Sequence, residues 1–199
     1  MENLEDILEE SEGEEIKNIP WEERGEIGIL KGIYLTIKGA LFKPRDFFSK
    51  IKPGGIKNAG LYALIIALFC YFLNLIWIGQ KIPLNHLLFI PLISLIFFFL
   101  LETALLHTGI AIFSPNKYPF STTFKVCAYS ESVLVFSVVP IVGGIVSSIW
   151  GLVITVIGLS RAHNIPVKKA LLSAIFSIII TAIIVFIPGI FYLKGVNDE

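Results

Sequence analysis

Three ionisable side chains stand in stretches too apolar to suit them. Glu102 and His107 lie within residues 86–113, HLLFIPLISLIFFFLLETALLHTGIAIF. Glu131 is the one formal charge in residues 126–160, VCAYSESVLVFSVVPIVGGIVSSIWGLVITVIGLS. A carboxylate or imidazole in hydrocarbon is costly unless a partner or water meets it, so the three form a candidate intramembrane polar site. None of them sits in a catalytic setting. The chain has no phosphate-cradling Walker loop, no His-Glu-x-x-His and no Gly-x-Ser-x-Gly. Cys70 and Cys127 fall in apolar helices and read as buried small side chains, not as a disulfide or a metal pair. The expectation is a protein that is not an enzyme and carries no cofactor or metal.

Spacing suggests how the three ionisable groups could meet. Helices joined by one short loop pack antiparallel. His107 lies about eleven residues before the loop centre near Lys117–Tyr118, and Glu131 about thirteen after it, a depth difference of about 3 Å at ~1.5 Å per residue. This predicts a His107–Glu131 pair, with Glu102 on its own, either protonated or facing a small polar cavity. The alternative is that His107 and Glu131 both reach the cytoplasmic interface and hydrate. A second pattern is a stripe of small residues, Gly144, Ser148, Gly151, Thr155 and Gly158. Similar stripes run through Gly60, Ala63, Ala67, Cys70 and Asn74, and through Ala170, Ala174, Ser177 and Thr181. Small residues let membrane helices approach closely, so these read as packing seams; the functional alternative is a pore lining.

These groups need membrane helices to hold them. As one helix, residues 126–160 would be about 52 Å long, against about 30 Å of bilayer hydrocarbon. Pro140, Gly143 and Gly144 are the strong breakers in the middle, so two helices are expected with a tight turn there. The predicted fold is all-α: five transmembrane helices, at about 58–79, 86–113, 124–139, 143–160 and 170–191. Composition agrees. Of 199 residues, 55% are hydrophobic and 16% charged, below the roughly 25% charged residues of soluble domains. Eleven of the sixteen acids precede Ile27, so residues 1–30 read as an acidic, disordered cytoplasmic tail. Residues 31–57 reverse the sign with seven bases to one acid. Their bases and aromatics next to a membrane span read as an interfacial helix for anionic headgroups rather than a nucleic-acid surface. The N-terminus has no signal-peptide pattern. Lys and Arg favour the N-terminal segment and the loops after the second and fourth spans. This places the N-terminus in the cytoplasm and the C-terminus outside, in a cell membrane, with a prokaryotic inner membrane expected.

The chain resembles a known family. IPWEERGEIGIL followed by LFKPRDFFSKI is similar to the lead-in of bacterial Yip-domain membrane proteins, relatives of the eukaryotic Ypt/Rab-interacting proteins. LHTGIAIF, PFSTTFKVCAYSES and VVPIVGGIVSSIWGLVITVIGLSRAHNIPVKKAL resemble the core of that domain, through His107, Gly109, Thr123, Tyr129, Pro140, Trp150 and His163 among others. The resemblance implies five spans and a cytosolic N-terminus. It implies no general activity for bacterial members, and the GTPase partners of the eukaryotic relatives are not carried over. Where the family often has a proline after the tyrosine of the third span, this chain has Glu131-Ser132, so a straighter third helix is expected.

The leading expectation is a scaffold, assembly or membrane-organising protein. Its partners would be the lipid bilayer, anionic headgroups at the basic segment, and other membrane proteins or a second copy of the chain. The opposing one is a small transporter or channel working through Glu102, His107 and Glu131.

Overall fold

The structure is a computed structural model and describes residues 18–78, 84–114 and 119–197. Ten short and long segments follow one another without a strand among the described residues. Helices α1 (Arg24–Ile27), α2 (Ile29–Phe42) and α3 (Pro44–Ser49) precede α4 (Lys57–Ile78) and α5 (Leu84–Phe113). Then come α6 (Phe120–Ser130), a 3-10 turn (Glu131–Val133), α7 (Leu134–Ser137), α8 (Val142–Ala162) and α9 (Val167–Asn197).

Four of these helices are long and apolar enough to cross a membrane, over Lys57–Leu75, Ile93–Phe113, Val142–Ala162 and Val167–Val185. Their outer surfaces carry large hydrophobic groups such as Phe97, Ile149 and Ile178, as lipid-facing surfaces do. The remaining stretch, expected as one straight helix over 124–139, is instead split into α6, the 3-10 turn and α7. The absence of a proline at Glu131-Ser132 does not make it straight, because serine hydroxyls take up carbonyls here. Ser132 Oγ donates to the Tyr129 carbonyl at 2.7 Å, Ser137 Oγ to Leu134 O at 2.6 Å, and Ser147 Oγ to Val133 O at 3.0 Å. Hydroxyls that take up carbonyls compete with the regular helical ladder and tighten it.

α6 and α7 pack on α8 on one side and on α4 on the other, and α5 packs on both α6 and α9. The turn from α7 to α8 is centred on Pro140–Ile141. Ile141 has φ 63° and ψ −67°, and Val142 N–H reaches Pro140 O at 2.7 Å, which is a γ-turn, a strained conformation for a β-branched residue. Gly143 is required there by close approach: a Cβ on it would run into the Phe136 carbonyl oxygen.

The N-terminal segment departs from the expected solvated tail. Ile19 and Trp21 are buried, at 2% and 1% exposure, so the chain is already packed well before Lys31. α2 and α3 form a hairpin against this segment and the bundle: α3 packs on α8, and α2 on the 3-10 turn. The earlier part of the acidic tail, residues 1–17, and the loops 79–83 and 115–118 that hold Lys81 and Lys117 lie outside the described residues.

Candidate functional site

His107 lies in the second-last turn of α5 and meets the start of α6. Its Nδ1 is 2.9 Å from Thr123 Oγ1, and the same oxygen is 3.0 Å from His163 Nε2. Phe120 packs edge-on against the His107 ring at 5.4 Å between centroids. His163 is the C-cap of α8, and the chain around it is held tightly. Asn164 is left-handed at φ 48°, Ile165 N–H reaches Ser160 O at 3.0 Å, and Asn164 N–H reaches Arg161 O at 3.3 Å. That is a Schellman motif with asparagine in the usual glycine place. A threonine hydroxyl offers one proton and two lone pairs, so it can donate to one neutral imidazole and accept from the other. Burial, and then the neighbouring His107, pull the His163 imidazole down to about 4.

The expected His107–Glu131 pair is therefore replaced. His107 takes Thr123, and neither Glu102 nor Glu131 makes an ion pair among the described residues. Loop residues add little depth, so the helix ends and not the loop centre set which residues are level. Measured from helix ends, Glu102 is eleven residues before Phe113 and Glu131 is eleven after Phe120. Both are roughly 16 Å from their ends at 1.5 Å per residue. The residues that share a depth are the two glutamates.

The two carboxyl groups line both of two adjoining cavities. The outer one, about 610 Å³, lies between α4 and α5 and is walled by Gly60, Ala63, Leu64, Leu95, Phe98 and Phe124 with other apolar groups. The inner one, about 290 Å³, lies among α5, α6, α8 and α9, and Ser130, Ser148, Gly151, Thr155 and Ser177 contribute to its wall. Glu102 is exposed and Glu131 half-buried. The small-residue stripe of α8 thus divides by position. A Cβ on Gly158 would come within 2.7 Å of Val126 Cγ1 and 3.1 Å of the Phe48 ring, so Gly158 belongs to a close crossing. Ser148, Gly151 and Thr155 border the inner cavity, and Gly144 has nothing within 4 Å of its Cβ position.

A third cluster was not among the sequence candidates. Trp21 N–H donates to Thr36 Oγ1 at 2.9 Å, and its indole Nε1–H to Asn58 O at 2.6 Å. Arg24 lies over the Trp21 ring at 4.4 Å. Glu22 receives Lys125 Nζ at 3.1 Å and the Tyr129 hydroxyl at 3.0 Å. Tyr62, Tyr129, Phe47 and Phe48 continue the cluster with ring centroids 5.2–5.7 Å apart. Its sequence signal was a tryptophan inside an acidic head, which a solvated tail has no use for.

Cys70 and Cys127 are free and buried. Among the described residues no three His, Cys, Asp or Glu side chains are grouped to hold a metal ion. A comparison with curated proteins finds no match, and neither does one with solved structures. The family profile described as the Yip1 domain matches residues 38–187, from within α2 through most of α9. Tyr129 in the aromatic cluster and the His107–Thr123–His163 chain all lie in the matched region, and on that match the chain belongs to the Yip1 domain family.

Proposed function

We propose that the protein is a non-enzymatic membrane organiser of the Yip type, with five crossings, that holds an amphipathic wedge rigidly against its own bundle at the cytoplasmic face. The observation that carries this reading is the two-sided character of the α2–α3 hairpin. Its inner side is anchored: Phe48 is fully buried and Phe47 nearly so, and Trp150 Nε1–H donates to Leu41 O at 3.2 Å. Its outer side combines greasy and basic groups. Leu30 is 83% exposed and Phe42 72%, with Lys38, Lys43 and Arg45 exposed beside them. Such a surface suits the boundary between acyl chains and anionic headgroups, and a wedge fixed to a bundle transmits its position to the lipid around it.

The test places an environment-sensitive dye on a cysteine at Leu30, in a background without Cys70 and Cys127, and reconstitutes the protein in vesicles. The dye should report a water-poor setting, more so with anionic than with neutral lipid. Reversing Lys38, Lys43 and Arg45 to glutamate should remove the difference. A dye fully in water with both lipids would end the reading. Mild crosslinking in native membranes would then identify the protein partners or second copy that an organiser requires.

One observation favours a second reading, a small transporter or channel. Glu102 and Glu131 both line each of the two cavities. Ion or solute flux in proteoliposomes, lost in Glu102→Gln or Glu131→Gln, would support it. His107 lies five residues further along α5 and is engaged by Thr123.

A further inference from the structure

Glu102 and Glu131 raise a question that membrane organisation does not answer. A carboxylate kept from water by the surrounding bilayer needs a counter-charge, yet among the described residues neither makes an ion pair. Beside them is a second unmet group. Ser130 is 6% exposed, its Oγ has no hydrogen-bond partner, and it stands in the wall of the inner cavity. A buried hydroxyl left unpaired costs about 1–3 kcal/mol. The outer cavity is different in kind. It is walled mainly by hydrocarbon and aromatic groups, Leu64, Ala67, Leu95 and Phe98 among them. Its volume of about 610 Å³ falls in the range of small-molecule sites, about 300–1,000 Å³.

We infer that the joined cavities bind a membrane-soluble organic cation, an alkylammonium, with its chain in the outer cleft and its head among Glu102, Glu131 and Ser130. An ammonium group has three donors and no acceptor, and the inner end offers it two carboxyl groups and a hydroxyl oxygen. A bare metal ion would leave the outer cleft without a role. An uncharged lipid chain would leave both carboxyl groups and Ser130 unmet, and an anionic amphiphile would be repelled. Entry is lateral, because the outer cavity lies between two helices of spanning length. Binding alone is inferred; it stands whether or not the ligand is carried across the bilayer, and it does not depend on the α2–α3 wedge.

The test uses the full chain in nanodiscs of neutral phosphatidylcholine. Three photoreactive probes share one dodecyl chain and differ in the head: a primary amine, an alcohol and a sulfate. The amine should label α4 and α5 near Leu64 and Phe98 at roughly tenfold lower concentration than the alcohol, as one or two charge-assisted hydrogen bonds imply. Unlabelled dodecylamine should displace it. Glu102→Gln with Glu131→Gln should bring the amine down to the level of the alcohol, and Ser130→Ala should weaken it by less. Equal labelling by amine and alcohol, preference for the sulfate, or an amine preference that survives the double glutamine variant would overturn the inference. Should the double variant fail to fold, the head-group preference and displacement in the unaltered protein, with the effect of Ser130→Ala, still decide the matter.

Discussion

His163 is where acid should first be felt. The folded protein keeps its imidazole unprotonated down to about 4, whereas an unfolded histidine protonates near 6.5. Between those values the unfolded chain binds the extra proton, so stability rises with pH through that window. The full contribution is present above about 6.5, is lost progressively toward about 4, and changes no further below; it amounts to about 3 kcal/mol. Thermal melts in detergent at a series of pH values should show this fall, and His163→Gln, whose amide can still meet Thr123, should flatten it. An identical slope in that variant would place the acid sensitivity elsewhere. This residue shows what was legible in the sequence and what was not. His107, Thr123 and His163 could be read as positions of the family pattern, but they are 16 and 40 residues apart, and only the crossing of α6 with α5 and α8 makes them one chain of hydrogen bonds. Ser130 gave no signal at all, since an unpartnered hydroxyl is a property of its surroundings.

Among the helices, the small-residue stripes were visible from their period of three and four, but their uses were not. The same spacing serves a tight crossing at one end of α8 and a cavity wall further along it. Gly158→Ala should lower stability by about 1–3 kcal/mol, the usual cost of forcing a methyl group into packed space, because Val126 and Phe48 occupy it. Gly109→Ala should be worse tolerated still, since its Cβ position is 2.9 Å from the Ser173 Cα and 3.0 Å from its carbonyl oxygen, and backbone cannot step aside. Gly144→Ala should be neutral or stabilising by up to about 1 kcal/mol, through reduced freedom of the unfolded chain. Chemical denaturation of the three variants, compared with the parent, checks the ordering. If Gly158→Ala and Gly144→Ala fell equally, the stripe of α8 would be a single seam after all. The broken third segment was hidden for a related reason: Ser132, Ser137 and Ser147 disturb carbonyls without any proline to announce it.

For the molecule as a whole the open quantity is the number of crossings. α8 has 21 residues of spanning length, and His163 at its C-terminal end touches Thr123 at the start of α6. If α8 crosses the bilayer, its other end, at the Pro140–Ile141 turn, lies on the opposite side from Thr123. The chain from Phe120 to Ser137 must then cross too, and its 18 residues reach about 27 Å at 1.5 Å per residue, close to the hydrocarbon thickness. Asn74 Nδ2, 3.4 Å from Ser137 Oγ, ties that far end to the far end of α4, which runs in the same direction. Five crossings are therefore expected, with the broken segment counted among them although no single helix in it is long enough to be recognised. Single cysteines in a background free of Cys70 and Cys127 test this with an impermeant reagent on intact cells. Cysteines at Lys50 and Asn164 should be shielded, and one at Asn197 should react. If the α6–α7 segment dipped in and returned on the same side, every later side would invert: Asn164 would react and Asn197 would be protected. The Lys125–Glu22 pair gives the same experiment an internal control. It fastens residue 22 to the start of α6, so a cysteine at the exposed Glu26 must share the protection of Lys50, whichever side that proves to be.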